Sequence, residues 1–327
     1  MEPELLLRAL ADGKPHSGED LAREFGVTRA AVWKHTEKLG AWGLEVAAVP
    51  GVGYRLARRI DLIDSGALER ALDARTAARV ARLEVFTEIG STNRYLLERA
   101  PPPDDRLTVC LAEYQHAGRG RRGRKWSTPL GAGLCLSVGW QFKDAPPGLS
   151  ALTLAVGVVV RRALARVARV DIELKWPNDL VWDERKLGGI LLELTAEAQG
   201  GCHVVAGLGL NVALPPELLP TLSDWPRGAV DLATAVNGPP PPRTALAAAL
   251  IGALAELFAE YAQSGFAPYR ADWRAADYLR GRRVVLDDAS GSVKGTAVGI
   301  EPDGALLIDT GGARRRVISG EVSVRSA

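Results

Sequence analysis

The stretch HAGRGRRGRKW, His116 to Trp126, places four arginines and a lysine within Arg119–Lys125 and spaces three glycines as Gly118-x-Gly120-x-x-Gly123. Such a mixture suits anions. Glycine lets backbone N–H groups come close to a ligand, and guanidinium groups neutralise carboxylates and phosphates. A dinucleotide loop, a nucleic-acid patch and a solvated loop are the competing readings. A dinucleotide loop needs its third glycine to open a helix whose N-terminus faces the pyrophosphate. Here RKWSTPLGAGLCLSVGW follows, with a turn at Pro129-Leu130-Gly131 and then an alternating strand. That context excludes the dinucleotide reading.

Two further stretches carry similar chemistry. KWPNDLVWDERKLGGILLEL, Lys175 to Leu194, sets a Pro-Asn-Asp turn between strands and Lys186 before Gly188-Gly189 at the entry to another strand. HVVAGLGLNVAL, His203 to Leu214, reads as a strand ending on Gly207-x-Gly209-x-Asn211. Glycines beside polar groups at strand ends suit close approach of backbone to a ligand. Together the three loops imply one cationic, glycine-lined pocket.

The elements that must hold this pocket follow from periodicity and turn signals. DLIDSGALERALDARTAARV reads as a linker and a helix. The strand LEVFTEI then ends in Gly90-Ser91-Thr92-Asn93, the helix RYLLERA follows, and LTVCLAEYQ is the next strand. Near the N-terminus, ELLLRALAD has helical spacing, Ser17 caps DLAREFG, and Thr28 caps TRAAVWKHTEKLGAWG. The last two helices and their short turn form a helix-turn-helix, and LEVAAVPGVGYRLARR reads as a hairpin wing. Residues 1–28 hold three basic and six acidic side chains, whereas residues 29–60 hold six basic and two acidic. The positive set, Arg29, Lys34, Lys38, Arg55, Arg58 and Arg59, lies where a winged helix meets phosphates and the major groove. Thr28, Arg29, Ala30, Lys34, Lys38 and Arg55 are the DNA-contact candidates; a protein–protein module with a chance charge bias is the alternative.

Composition sets the frame. With 327 residues, 47% apolar and 24% charged, the chain can build two or three cored domains. A net charge of +2 means that anion binding must come from local clusters. Cys110, Cys135 and Cys202 are too scattered for a disulfide framework or a zinc site, and no metal ligand set is assigned. The start MEPELLLRALADGK lacks a basic, apolar leader pattern, so a cytoplasmic, membrane-free protein is expected. GPPPPR precedes TALAAALIGALAELFAEYAQSG, expected to be a buried helix, bounded as it is by Arg243 and Glu256. From Gly281 onward the chain reads as strands with turns at Ala289-Ser290-Gly291, Pro302-Asp303-Gly304 and Gly311-Gly312, a small barrel.

Ser91-Thr92-Asn93, Ala112–Trp126, KWPNDL, Arg185-Lys186-Leu187-x-Gly189-Ile190-Leu191 and Gly207-x-Gly209-x-Asn211 resemble, in order, the motifs of biotin protein ligases. TRAAVWKH and PGVGYRL resemble the DNA-binding half of the members that also repress biotin synthesis. The resemblance spans essentially the whole chain. It implies an α+β fold: a winged helix-turn-helix over residues 1–62, a mixed α/β catalytic domain of the biotin/lipoate ligase type over 63–278, and an SH3-like β-barrel over 279–327. It implies that biotin and ATP give biotinyl-5′-adenylate with Mg²⁺ bound mainly through phosphates, and that a lysine of a biotin carboxyl carrier domain, as in acetyl-CoA carboxylase, then takes the biotin. Operator DNA and an adenylate-bound homodimer are the other implied partners, with strands 107–115 and 132–140 offering a sheet edge.

The same resemblance assigns roles. Ser91, Thr92, Asn93 and Gln115 go to biotin, the hydroxyls and amides matching its ureido ring. Gly118, Arg119, Gly120 and Arg121 go to biotin's chain and carboxylate, and Lys186 goes to biotin's carboxylate and then to the adenylate's acyl–phosphate linkage. Arg119, Arg121, Lys186, Asn178 and Asn211 go to ATP or the adenylate, and Trp126 and Trp225 flank the adenine unless they are core tryptophans. Arg121 and Lys186 are the catalytic cations. Asp179 is assigned deprotonation of the acceptor lysine, with turn formation as the alternative. The loop is then an anion-handling lid that excludes water from a mixed anhydride. Arg122 and Arg124 stand between lid, solvent and dimer contact. Arg314, Arg315, Arg316 and Arg325 stand between ATP, acceptor and solvent. A lipoate- or octanoyl-transferring relative predicts a different loop and no winged helix. A ligand-sensing regulator without ligase activity would not need Arg119, Arg121, Lys186 and Asn211 together.

Overall fold

The computed structural model describes residues 2–103, 105–196, 201–219, 225, 227–288 and 291–324. Three helices, α1 (Pro3–Leu10), α2 (Gly18–Glu24) and α3 (Arg29–Ala41), precede the hairpin β1 (Val46–Val49) and β2 (Gly53–Leu56). Ser17 caps α2 by accepting the N–H groups of Glu19 and Asp20, and Thr28 caps α3 by accepting that of Ala31. Leu6, Leu7, Leu10, Leu21, Val32, Leu39 and Trp42 make the small core. Gly53, at φ +140°, lies so close to His16 that an added Cβ would stand 1.9 Å from its carbonyl oxygen, so the wing is seated tightly on the helices.

Residues 61–80 differ from the expected linker and single helix. They form α4 (Ser65–Ala71) and α5 (Ala74–Arg79). Asp64 and Asp73 each accept a first-turn N–H, and the second cap starts a new helix where Leu72 has left helical geometry. Beyond them come β3 (Val80–Ile89), α6 (Thr92–Leu97), β4 (Leu107–Gln115), β5 (Gly133–Phe142), α7 (Leu152–Val167), β6 (Glu173–Lys175), β7 (Asp179–Trp182), β8 (Arg185–Ala196), β9 (Cys202–Asn211), α8 (Leu232–Ala235), α9 (Arg243–Ser264) and α10 (Arg270–Ala276). The seven strands form one sheet in the order β3-β4-β5-β9-β8-β7-β6, with β3 and β4 parallel and every other pair antiparallel.

The alternating strand after the lid, β5, is buried on both faces. Leu134, Leu136 and Val138 belong to the large core with α7 and α9, while the other face lies under α6. Strands 107–115 and 132–140 do not offer the expected sheet edge. β4 and β5 each use both backbone ladders on neighbours, so the edges are β3 and β6.

α9 is long and apolar enough, by length and composition, to pass for a membrane span. Its Leu246, Leu250, Leu254, Leu257, Phe258 and Tyr261 are instead buried in the large core. Arg243, read from sequence as a polar boundary, is only 1% exposed. It pairs with Glu113, donates to the Gly133 carbonyl, and holds Asp61 through its backbone N–H and its Nε. Glu113 also accepts the Ile63 N–H at 2.6 Å. One buried ion pair thereby ties the link after the winged helix to the start of β5.

The C-terminal strands β10 (Arg283–Asp288), β11 (Gly291–Ile300), β12 (Leu306–Asp309), β13 (Arg314–Val317) and β14 (Glu321–Val324) form an antiparallel sheet in the order β13-β12-β11-β10-β14. Trp176 donates its indole N–H to the Gly304 carbonyl, fastening this sheet to the central one. The turn expected at Ala289-Ser290-Gly291 lies largely outside the described residues. Cys110, Cys135 and Cys202 are buried and unpaired by disulfides. Burial raises the Cys110 thiol and pushes that of Cys135 up to about 11, so neither is a ready thiolate.

Candidate active site

The three motif-bearing loops and the start of α6 meet at one cavity of about 770 Å³. Its walls include Ser91, Thr92, Asn93 and Gln115 at one part, Arg119 to Arg122 and Arg124 to Trp126 of the lid, and Lys175 to Asp179, Lys186, Asn211 and Trp225 elsewhere. Among the residues assigned to biotin and ATP from sequence, Gly118 does not line it. Gly118 backs the lid: its carbonyl accepts the Trp126 N–H, and an added Cβ would stand 2.3 Å from the Trp126 carbonyl oxygen.

The lid is a closed hairpin. Arg119 bridges Lys125, and Gly120 donates to the Arg124 carbonyl. At the tip, Arg122 has φ +54° and Gly123 φ +75°, the left-handed conformations that reverse the chain. Arg119 Nη1 lies 3.2 Å from Glu193 Oε1 on β8. Arg121 lines the cavity half-buried at the tip, whereas Arg122 and Arg124 line its rim exposed.

Hydroxyls and amides interlock beneath the lid. Ser91 caps α6, accepting the Arg94 N–H. Thr92 donates its N–H to Gln115 Oε1 at 2.8 Å, with its hydroxyl 3.1 Å from the same oxygen. Asn93, 4% exposed, donates to the Leu191 carbonyl and to Glu193, and Ser137 Oγ lies 2.6 Å from Asn93 Oδ1. The glycines of Gly207-x-Gly209 make room for side chains rather than for ligand alone. A Cβ on Gly207 would stand 2.1 Å from Asn93 Oδ1, and one on Gly209 2.3 Å from the Trp126 indole.

The cationic centre is built on β6, β7 and β8. Lys186 Nζ lies 2.6 Å from Asp179 Oδ1, and Lys175 Nζ 3.7 Å from Asp179 Oδ2. One carboxylate thus faces two lysines. Asn178 donates its amide to the Ile190 carbonyl and Asn211 donates to the Val230 carbonyl, so both brace strands while lining the cavity. Lys175 sits 4.3 Å from the centre of the Trp225 ring, and Trp225 Nε1 donates to the Glu184 carbonyl. Tyr278 lies tilted against Trp225, and Arg282 packs over Tyr278 while pairing with Glu184. Lys175, Tyr278, Arg282 and Glu184 were not singled out as site residues from sequence. Lys175 stands inside a quoted motif, but Tyr278 and Arg282 carry no local signal and come in only through the fold.

At the C-terminal sheet, β14 reaches the cavity through Val322, Ser323 and Val324. Arg314, Arg315 and Arg316 sit on β13, the opposite edge, away from it. Arg325 lies outside the described residues. On the winged helix, Thr28, Arg29, Ala30, Lys34, Lys38 and Arg55 are all exposed, with Trp33, 56% exposed, between them. The Thr28 hydroxyl is engaged in its cap.

A mixed sheet bearing a lidded cationic cavity, behind a winged helix and ahead of a small β-sheet domain, defines a protein ligase with a DNA-binding module. Residues 85–211 match the Biotin/lipoate A/B protein ligase family, residues 4–55 an HTH domain, and residues 280–325 the Biotin protein ligase C terminal domain. The chain is 38% identical over 325 residues to the Bifunctional ligase/repressor BirA of Salmonella typhimurium, spanning 99% of this chain and 98% of that one. It is 35% identical over 247 residues to the Biotin--[acetyl-CoA-carboxylase] ligase of Mycobacterium tuberculosis, spanning 74% and 88%. The solved biotin protein ligase from Aquifex aeolicus, in complex with biotin and ATP, superposes with a TM-score of 0.60 at 25% identity, over 76% of this chain and 99% of that one. The chain belongs to the biotin protein ligase family, in its ligase/repressor form.

Proposed function

We propose that this protein activates biotin with ATP and transfers it to a lysine of a biotin carboxyl carrier domain, and that its winged helix represses transcription by binding operator DNA. The observation that carries the ligase reading is the meeting of Arg119, Arg121 and Lys186 around one cavity with a polar, hydroxyl-lined part and an aromatic part. Biotin's ureido ring fits Ser91, Thr92 and Gln115, and the base fits beside Trp126 and Trp225. The biotin carboxylate oxygen attacks the α-phosphorus of ATP, the bond to pyrophosphate breaks, and biotinyl-5′-adenylate forms. Two anions must meet in that step, and preorganised cations offset their repulsion. The amine of the acceptor lysine, having lost a proton, then attacks the acyl carbon and AMP leaves. Asp179 stands beside Lys186 for that proton. A free lysine has a pKa near 10.4, so a nearby carboxylate helps.

Magnesium would be held mainly by the triphosphate's own oxygens, easing charge repulsion. Asp179, Asn178, Asn211 and Glu184 offer side-chain oxygens in the cavity wall, and no group of three or more His, Cys, Asp or Glu that could hold a metal occurs among the described residues. A cytoplasmic location suits an enzyme whose three described cysteines are unpaired thiols.

Incubation with biotin, ATP-Mg²⁺ and the carrier domain of acetyl-CoA carboxylase is expected to add one biotin to one acceptor lysine, read by mass. An unmodified acceptor alongside folded enzyme would remove the assignment. We propose further that adenylate favours a homodimer, which lets two winged helices span a two-fold operator. Sedimentation at micromolar protein is expected to shift toward dimer with biotin plus ATP; a ligand-independent monomer would leave the ligase and remove the switch.

A further inference from the structure

A carboxylate stands beside the part of the cavity assigned to biotin, where an anion is unexpected. Glu193 on β8 is only 20% exposed and uses both oxygens. Oε1 lies 3.2 Å from Arg119 of the lid, and Oε2 accepts from Asn93 Nδ2 at 3.0 Å. Asn93 Nδ2 also donates to the Leu191 carbonyl at 3.0 Å. A carboxylate and a carbonyl can only accept, so the Asn93 amide must turn its NH₂ toward β8 and its oxygen toward β5. There it meets Ser137, fully buried, whose Oγ lies 2.6 Å from Asn93 Oδ1 and 2.7 Å from Thr92 Oγ1. An amide oxygen cannot donate, so Ser137 must give its proton to Asn93. The Thr92 N–H then fixes Gln115 Oε1 as the accepting end of that amide.

We infer that Glu193 is a positioning residue with two tasks: together with the Leu191 carbonyl it sets the donor–acceptor direction of the Asn93–Ser137–Thr92 chain beside Gln115, and it tethers the lid hairpin through Arg119. The inference rests on the assignment of this part of the cavity to biotin. A urea presents two N–H donors and one oxygen acceptor, so a site of similar shape but reversed polarity would reject it. The tether keeps Arg119 aimed along the cavity rather than ranging through solvent, and so holds the hairpin stem near β8.

The test uses the full chain. Glu193→Gln preserves shape, removes the charge that holds Arg119, and leaves one oxygen for two donors, so an NH₂ must face either Asn93 or Arg119. Pyrophosphate release and acceptor labelling are expected to show a KM for biotin raised about three- to tenfold, the scale of a partly exposed ion pair or one hydrogen bond. The KM for ATP should stay near wild type, and adenylate should escape faster, read as labelling of free lysine. The double variant E193Q/R119Q should show the same escape rate as R119Q alone, because both break one contact. A wild-type KM for biotin in E193Q overturns the polarity role, and additive escape rates overturn the tether. If E193Q does not fold, S137A removes the chain's middle donor and should raise the KM for biotin without changing adenylate escape; an unchanged KM there also overturns the polarity role. Wild-type enzyme that labels no acceptor would instead strike at the biotin assignment itself.

Discussion

The lid and the recognition helix are both short, basic and exposed, yet their cations meet different surroundings. In the lid, Arg119 faces Glu193, and the hairpin stem is closed by backbone pairing. On α3 and the wing, Arg29, Lys34 and Arg55 make no ion pair among the described residues, and Lys38 only overlies the Trp42 ring at 5.8 Å. Charge density along the sequence is therefore a poor guide to use. A cluster with protein carboxylates folded against it holds a small ligand at a defined place. A cluster whose counter-charge is missing from its own chain leaves it to be supplied by phosphates.

The two regions are joined through buried charge, and breaking that joint gives the largest expected effect. Arg243→Met leaves Glu113 buried and uncompensated at the link between winged helix and β5. Removing one partner of a buried pair costs about 3–5 kcal/mol. Chemical denaturation should register that loss, and protease should cut more readily within residues 58–63. A double variant, R243M/E113L, should recover part of it; if R243M alone is near wild type, the pair is not what holds the joint.

Asp277, where the central domain meets the C-terminal sheet, shows a half-buried carboxyl with weak compensation. Burial pushes its pKa up to about 6, against the Leu279 N–H that favours the charged form. The folded state therefore holds the proton more tightly than the unfolded chain. Stability from this group is present below pH about 4 and is lost as pH rises toward 6, on the order of 2–3 kcal/mol in all. Asp277→Asn should flatten that part of the stability–pH curve and raise stability at pH 7.5. An unaltered slope would show that the carboxyl is solvated.

Next in size is Lys186→Ala. The strand is held there by backbone, Lys186 N–H to Gly228 and its carbonyl to the Val230 N–H, so the fold should survive. In the role proposed for Lys186, losing one charge-assisted contact at the reacting centre costs about 1.5–3 kcal/mol, roughly tenfold or more in adenylation rate. Pyrophosphate release at the wild-type rate would return Lys186 to a structural role beside Asp179.

These cases also show what could be read from sequence. The lid, KWPND and the strand around Lys186 were legible because glycine and proline punctuate them and their charges are local. The caps at Ser17 and Thr28 were legible because they obey short-range rules. Arg243, Glu113 and Glu193 were not, since each is defined by a partner far along the chain: 130 residues separate Arg243 from Glu113. Arg243 looked like the polar end of a helix because burial of a charge depends on that distant partner. The sheet edges were misjudged for the same reason: strand order is a long-range property, and nothing local says that β9 pairs with β5.

A change confined to the DNA-binding end sharpens the comparison most. Arg29→Gln with Lys34→Gln removes two cations near the start of α3, where a recognition helix meets the groove. Each phosphate contact contributes about 0.9 to the slope of log affinity against log salt. At about 0.15 M salt, two lost contacts should weaken DNA binding roughly thirtyfold and reduce that slope by about two. Neither residue packs in the small core, so the melting temperature should hold. Nor does either touch the cavity, so biotin transfer to the acceptor should proceed at the wild-type rate. A changed slope with intact transfer would establish that the two basic clusters serve separate anions. A transfer rate that falls along with DNA binding would mean that the winged helix is needed for lid closure, and the division between them would fail.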